Sequence, residues 1–197
     1  MTSAPMTPTQ RKREQILQGA LHVFLQEGYE GTSMDRVAAA AGVSKITIYK
    51  HFQDKEGVFT ALITQVTAQR FELVFGHLSF TEAPALVLRQ LAHTLLTMMA
   101  TDDEYIAFLR LIIGESGRFP ALAQLFVQAL PQRVWALLSN YFAAHPGLHP
   151  QHPEATARIF MGALMGYVMT QHILHGDAIA PMGQDLMVDC LVDTITG

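Results

Sequence analysis

The chain has 197 residues, half of them hydrophobic, a formal net charge of −4 and one cysteine, Cys190. That is enough apolar material for a full core, and a lone cysteine excludes an internal disulfide framework and a cysteine-based zinc finger. No apolar leader precedes a cleavage-type site, and the longest apolar run, Ile159 to Leu174, is short for a bilayer, so a soluble cytoplasmic protein is expected.

The charge is unevenly spread. Up to Lys55, seven basic residues face five acidic ones, whereas from Glu56 onward six arginines face twelve acids. All four lysines (Lys12, Lys45, Lys50, Lys55) lie in the first part. Attraction to phosphate acts within about a Debye length, so a local basic module matters more than the overall sign. Nucleic acid is the leading partner on this ground.

Residues 1–9 read as a mobile arm. A first helix starts at Pro8 with Thr7 as cap, carries the stripe Ile16, Ala20, Val23 and Phe24, and stops at Gly28. Thr32 with Asp35 three residues later resembles a capping box and predicts the start of a second helix, which Gly42 ends. Ser44 caps a third helix, and Asp54 caps a fourth that runs to about Phe75. Alanines 38 and 41 permit close approach of the second and third helices, and Ile48 and Phe52 face inward: a helix-turn-helix. Lys45, Ile46, Thr47, Tyr49, Lys50 and His51 are then left on the outer side. Lysines, a hydroxyl, a phenol and an imidazole on one short helix suit a major groove walled by phosphates.

Further helices are expected at roughly 82–101, 103–115, 120–144, 153–175 and 182–195, separated by glycine and proline. No stretch alternates with period two. The fold class expected is all-α, with about nine helices: a helix-turn-helix module at 10–55 and a helical regulatory and dimerisation region at 56–197.

In that second region, methionines at 98, 99, 161, 165, 169 and 187 suit either an ordinary core or a pocket for greasy molecules of varied shape. Candidate pocket residues are Phe71, Phe75, His93, Met99, Phe108, Ile112, Phe126, Trp135 and Met165, with His93 placed to orient a polar ligand atom. Gly162 and Gly166, one helical turn apart, allow another helix to approach closely. His145, His149 and His152 in the loop HPGLHPQHP offer imidazoles for a transition metal, the alternative being a rigid connector; His172 and His175, three apart, could share a metal on one helix. Gly114-Glu115-Ser116-Gly117 is a poor nucleophile elbow, with glycine directly after the serine and no strand before it. No phosphate-loop, Rossmann or zincin pattern appears, so neither an enzyme nor a cofactor is expected; a helical enzyme is the remote alternative.

Ile16, Ala20, Phe24, Gly28, Thr32, Ser33, Ala38, Gly42, Val43, Ser44, Ile48, Tyr49, His51, Phe52 and Lys55 together resemble the N-terminal domain of the tetracycline-repressor (TetR/AcrR) family. The likeness spans about Arg11 to Phe59, and the run from Gly42 to Glu56 is its most specific part. The resemblance implies that Tyr49, His51 and Lys55 touch backbone phosphates, with Ser33 and Ser44 adding hydroxyl or main-chain contacts. Thr47 matches a position that often reaches a base edge, Lys45 and Lys50 are long readers of guanine, and Ile46 could touch a thymine methyl. Lys50 stands where an aromatic is common in the family, so base preference does not carry over. RLIIGESGRFPALAQLF, Arg110 to Phe126, resembles a segment found in one subgroup of the family.

Family members typically dimerise through their last two long helices, which implies a homodimer with Gly162, Gly166, Met169 and Cys190 in or near the interface. The expected function is that of a sequence-specific transcriptional repressor, released from a pseudo-palindromic DNA operator by a small apolar effector. A metal-responsive regulator using the histidine loop is the alternative.

Overall fold

The computed structural model describes residues 6–145, 148 and 152–197. Among them are ten α-helices and no strand: α1 (Pro8–Gly31), α2 (Met34–Ala41), α3 (Lys45–His51), α4 (Lys55–Phe75), α5 (Pro84–Thr101), α6 (Asp103–Glu115), α7 (Pro120–Ala129), α8 (Pro131–Ala144), α9 (Pro153–Val168) and α10 (Gln184–Thr196). The chain forms two compact units, one of Met1–Val66 with Leu111–Phe126, the other of Thr67–Arg110 with Val127–Gly197. Helices α4, α6 and α7 thus each give residues to both units. No helix among the described residues is long and apolar enough to cross a membrane.

The first unit is built on α1. Thr7 accepts the Gln10 amide while the Gln10 side chain accepts the Thr7 amide, a complete capping box with Pro8 in the first turn. Gly28 leaves the helical region (φ 72°, ψ 173°), so the last turn of α1 is set off by a kink. Thr32 does not start α2, as its spacing to Asp35 suggests. Its hydroxyl, buried with the rest of the side chain, turns back and donates to the Gly28 carbonyl at 2.7 Å. Ser33 takes the capping position in its place, accepting the Arg36 amide. The kink frees a carbonyl that must be satisfied, and the nearer hydroxyl is spent on it. Gly42, at φ 61°, closes α2 through bonds to the carbonyls of Ala38 and Ala39. Ile16, Phe24, Val37, Ile48, Phe52 and Phe59 fill the core beneath.

In the second unit, α5 packs against α10 and α8 against α9. Leu88, Leu91, Leu138, Phe142, Phe160, Leu164, Val188 and Val192 are buried. The single helix expected over 120–144 is two, because Pro131 cannot donate to the ladder and Leu130 before it leaves the helical region (φ −128°, ψ −67°). The helix expected over 153–175 changes to a π-helical turn at Met169–Ile173. There the Arg110 guanidinium covers the exposed end, donating to the carbonyls of His172 (2.9 Å) and Ile173 (3.1 Å). Arg70 pairs with Asp102 at 2.6 Å and lies over the Tyr105 ring. Burial raises the Tyr105 phenol well above its usual range.

Candidate nucleic-acid interface

Helix α3 has only seven residues, and its two ends decide which way its side chains point. Ser44 Oγ accepts the Thr47 amide at 3.2 Å, and the Ser44 and Thr47 hydroxyls lie 2.8 Å apart. At the other end the Phe52 amide donates to the Ile48 carbonyl at 2.8 Å. Ile48 and Phe52 are buried, so the helix is clamped along one side and rotated to a fixed angle. What remains outside is a basic, mixed surface: Ile46 is 70% exposed, Tyr49 47%, and Lys45 and Lys50 are exposed as well.

The remaining expected contacts divide into occupied and unoccupied groups. Lys45 donates to Asp35 of α2 at 2.9 Å, and that bond holds its ammonium above the ordinary lysine range. Lys50 has no ion pair or hydrogen bond among the described residues, so its side chain is available to a ligand. Ser33, Ser44 and Thr47 each have their hydroxyl engaged in helix capping. They would meet DNA through a hydroxyl that already holds the local backbone. His51 is half-buried, its ring centroid 6.3 Å from that of Phe52.

Lys55 departs most from expectation. Its ammonium donates to the carbonyls of Tyr29 (2.8 Å), Glu30 (3.1 Å) and Thr32 (3.0 Å), which uses all three protons. It also lies 4.8 Å from the centroid of the Tyr29 ring. Its first role is to tie the end of α1 to the start of α4. Two side chains that the sequence pattern does not single out belong beside it. Arg13 places its guanidinium 4.6 Å above the Phe52 ring, next to the end of α3. Tyr29, 7% exposed, packs against Phe24, Phe59 and Phe119. The basic run Arg11-Lys12-Arg13 is the only sequence signal for the former.

The candidate pocket residues are divided between the two units. Ile112 and Phe126 belong to the first unit; Phe71, Phe75, His93, Met99, Phe108, Trp135 and Met165 belong to the second. Phe71 and Phe75 stack at 4.9 Å, with the Arg133 guanidinium over Phe71, and Met99 and Phe108 are buried. Trp135 lies under the Arg158 guanidinium. His93 lies toward α10, its Nδ1 3.7 Å from Asp185 and 3.4 Å from the Gln184 side-chain amide.

On α9 and α10, Gly162, Gly166 and Cys190 are exposed, and Met169, the first residue of the π-helical turn after α9, is half-buried. Nothing lies within 4 Å of where a side chain on either glycine would begin. Ile159 and Leu186 stand exposed on the same two helices. Of the histidine loop, His149 lies outside the described residues. His145 bonds the Tyr141 carbonyl through Nδ1, and among the described residues no three His, Cys, Asp or Glu side chains gather to hold a metal. His175 faces the Arg110 guanidinium at 3.1 Å, surroundings that would repel a cation.

Comparison with known proteins bears on both units. The family model described as bacterial regulatory proteins, tetR family, matches residues 16–62, and that of the AefR-like transcriptional repressor C-terminal domain matches residues 86–196. The HTH-type transcriptional regulator YvkB of Bacillus subtilis (strain 168) is 29% identical over 191 residues, 93% of each chain. Among solved structures, a TetR-family transcriptional regulator from Mesorhizobium loti MAFF303099 superposes with a TM-score of 0.78 at 29% identity, covering 96% of this chain and 97% of its own. The flavonoid-responsive regulator FrrA superposes with a TM-score of 0.76 at 27% identity, covering 94% and 95%.

Proposed function

The chain is a member of the tetR family of bacterial regulatory proteins, DNA-binding transcriptional regulators and not enzymes, and we propose that it is a cytoplasmic repressor, a homodimer on a pseudo-palindromic operator, released by a small and largely apolar effector. The observation that carries the DNA reading is the outer side of α3, where Ile46, Tyr49 and Lys50 stand exposed on a helix held rigidly by Ile48 and Phe52. Lys45, Thr47, His51, Ser33 and Ser44 complete the surface, Lys50 being the reader best placed to choose bases. A two-fold dimer would set two copies of α3 in major-groove faces about one helical turn, roughly 34 Å, apart.

The open surface around Gly162 and Gly166, with exposed Ile159 and Leu186, supports α9 and α10 as the dimer contact. The apolar interior of the second unit supports an apolar effector. FrrA, a relative described as flavonoid-responsive, supports a planar aromatic one. Such a molecule would act by binding more tightly to the conformation that cannot hold DNA, displacing α4, which begins at Lys55 in the DNA-binding unit and ends at Phe75 in the other.

The test is selection of sites by the full-length protein from a random duplex pool, followed by sedimentation on the enriched sequence. A pseudo-palindrome occupied by two chains is expected. Replacing Lys50 with alanine should change which bases are enriched, at a discrimination of about 1–3 kcal/mol per lost contact. Recovery of no sequence, or of one bound by a single chain, would overturn the reading.

A further inference from the structure

The segment Glu115–Phe119 follows the helix-turn-helix by more than fifty positions, yet it belongs to the same compact unit. At the kink in α1 the Tyr29 amide, part-buried, loses the helical acceptor it would otherwise have. Glu115 Oε1 accepts that amide at 3.0 Å. The same oxygen lies 2.9 Å from where a β-carbon on Gly28 would sit, so a side chain there would push the carboxylate aside. Gly28 suits the kink through its positive φ, and its lack of a side chain eases the approach of Glu115. Arg118 pairs with Glu30, and the Phe119 ring meets the Tyr29 ring edge-on at 4.6 Å. From the other side Lys55 gathers the carbonyls of Tyr29, Glu30 and Thr32.

The residues so fixed, 28–33, are the kinked last turn of α1 and the short connector to α2, and Ser33 at its end is the N-cap from which α2 departs. Helix α2 in turn contacts α3. We propose that Glu115 is a positioning residue for DNA recognition: it sets the angle at which α2 and α3 leave α1, although it touches no DNA. This rests on the reading of α3 as the DNA-contacting helix. It also gives the RLIIGESGRFPALAQLF segment a role, since α6 begins in the second unit and ends at Glu115 in the first. A shift of α6 would reach the connector directly, by a route separate from α4.

The experiment uses the full-length protein with Glu115→Asp, Glu115→Ala and Glu115→Gln. Aspartate keeps the charge but withdraws the oxygen, and glutamine keeps an acceptor oxygen in place. Hydrogen exchange at the Tyr29 amide and affinity for a site selected from a random DNA pool are measured on each. Glu115→Asp and Glu115→Ala should speed Tyr29 exchange about tenfold and weaken the selected site about tenfold, with Glu115→Gln close to wild type in both. Should Glu115→Ala fail to fold, the aspartate and glutamine pair decides. Protected exchange or unchanged DNA affinity in Glu115→Asp overturns the inference. A wild type that selects no sequence overturns the proposed function instead, so the two failures are distinct.

Discussion

Removing the charge of Lys55 while keeping its length, as in Lys55→Met, separates two roles that the sequence alone would merge. The ammonium makes bonds of 2.8, 3.0 and 3.1 Å to three carbonyls, those of Tyr29 and Thr32 being part-buried. A hydrogen bond to a charged group contributes about 1.5–3 kcal/mol net. The three share one cation, and the exposed Glu30 carbonyl can turn to water, so the values do not add. Two part-buried carbonyls left unmet, less the desolvation of the ammonium, give a loss of about 2–4 kcal/mol. For a unit of this size each kcal/mol is worth about 4–8 °C, so the melting temperature of the DNA-binding unit should fall by roughly 8 °C or more. Circular dichroism melting measures this. A phosphate-binding role is measured by operator affinity against salt concentration, taken well below the melt, where each lost phosphate contact lowers the slope by about 0.9. With its protons engaged, Lys55 should leave that slope unchanged on substitution. An unaltered melt together with a slope reduced by about 0.9 would refute the argument and return Lys55 to the phosphates.

Three further outcomes follow from the geometry. A β-carbon on Gly19 would come within 2.6–2.7 Å of Ala41, backbone and side chain alike, so Gly19→Ala forces α1 and α2 apart and should cost about 1–3 kcal/mol in urea denaturation. Gly162→Arg meets open space within the protomer; it should leave helicity intact and convert the dimer to monomer in sedimentation, and a persisting dimer would move the interface elsewhere. Burial keeps Tyr105 protonated where an unfolded tyrosine has ionised. Above about pH 10 the unfolded chain therefore binds fewer protons than the native one, and stability falls by about 1.4 kcal/mol per pH unit from this residue. Alkaline denaturation of Tyr105→Phe should show a slope shallower by one proton, and an identical slope would contradict it.

What could be read in the sequence was what is local. Ser44, Ile48 and Phe52 sit within one another's reach along a single short helix, so spacing alone oriented the outer side of α3. Gly28 and Gly42 likewise announce their turns. Thr32 shows where such reading stops: its spacing to Asp35 points forward to α2, but the carbonyl released by the kink at Gly28 draws the hydroxyl backward. Glu115 lies 86 positions from the amide it accepts, and no periodicity records a pairing at that range. The neighbours of His93 on α10, some ninety residues away, leave no more trace in the pattern. A pocket assembled from residues on many helices leaves no pattern in any one of them, which is why the effector region stayed a pool of aromatics and methionines.

The division between units bears on how little movement release would need. A dimer bound at both half-sites owes its affinity partly to the second half-site binding as an intramolecular event, and that linkage is worth a factor of about 10²–10⁴ so long as both helices reach their grooves together. Under the proposed mechanism an effector would therefore not have to unfold or bury α3. It need only change the spacing of the two copies until simultaneous engagement fails, which removes the whole factor at once. Two helices run from one unit into the other, α4, whose last turn carries the stacked Phe71 and Phe75, and α6, which ends at Glu115. If both contribute, weakening the Glu115 contact should lower operator affinity before any effector is added and blunt the further response to one. A lesion at the far end of α4, at Phe71 or Phe75 and away from Lys55, would leave the connector at 28–33 in place, and Tyr29 exchange would stay slow while release was lost. That contrast assigns the coupling to one helix or the other without knowledge of the effector's binding pose.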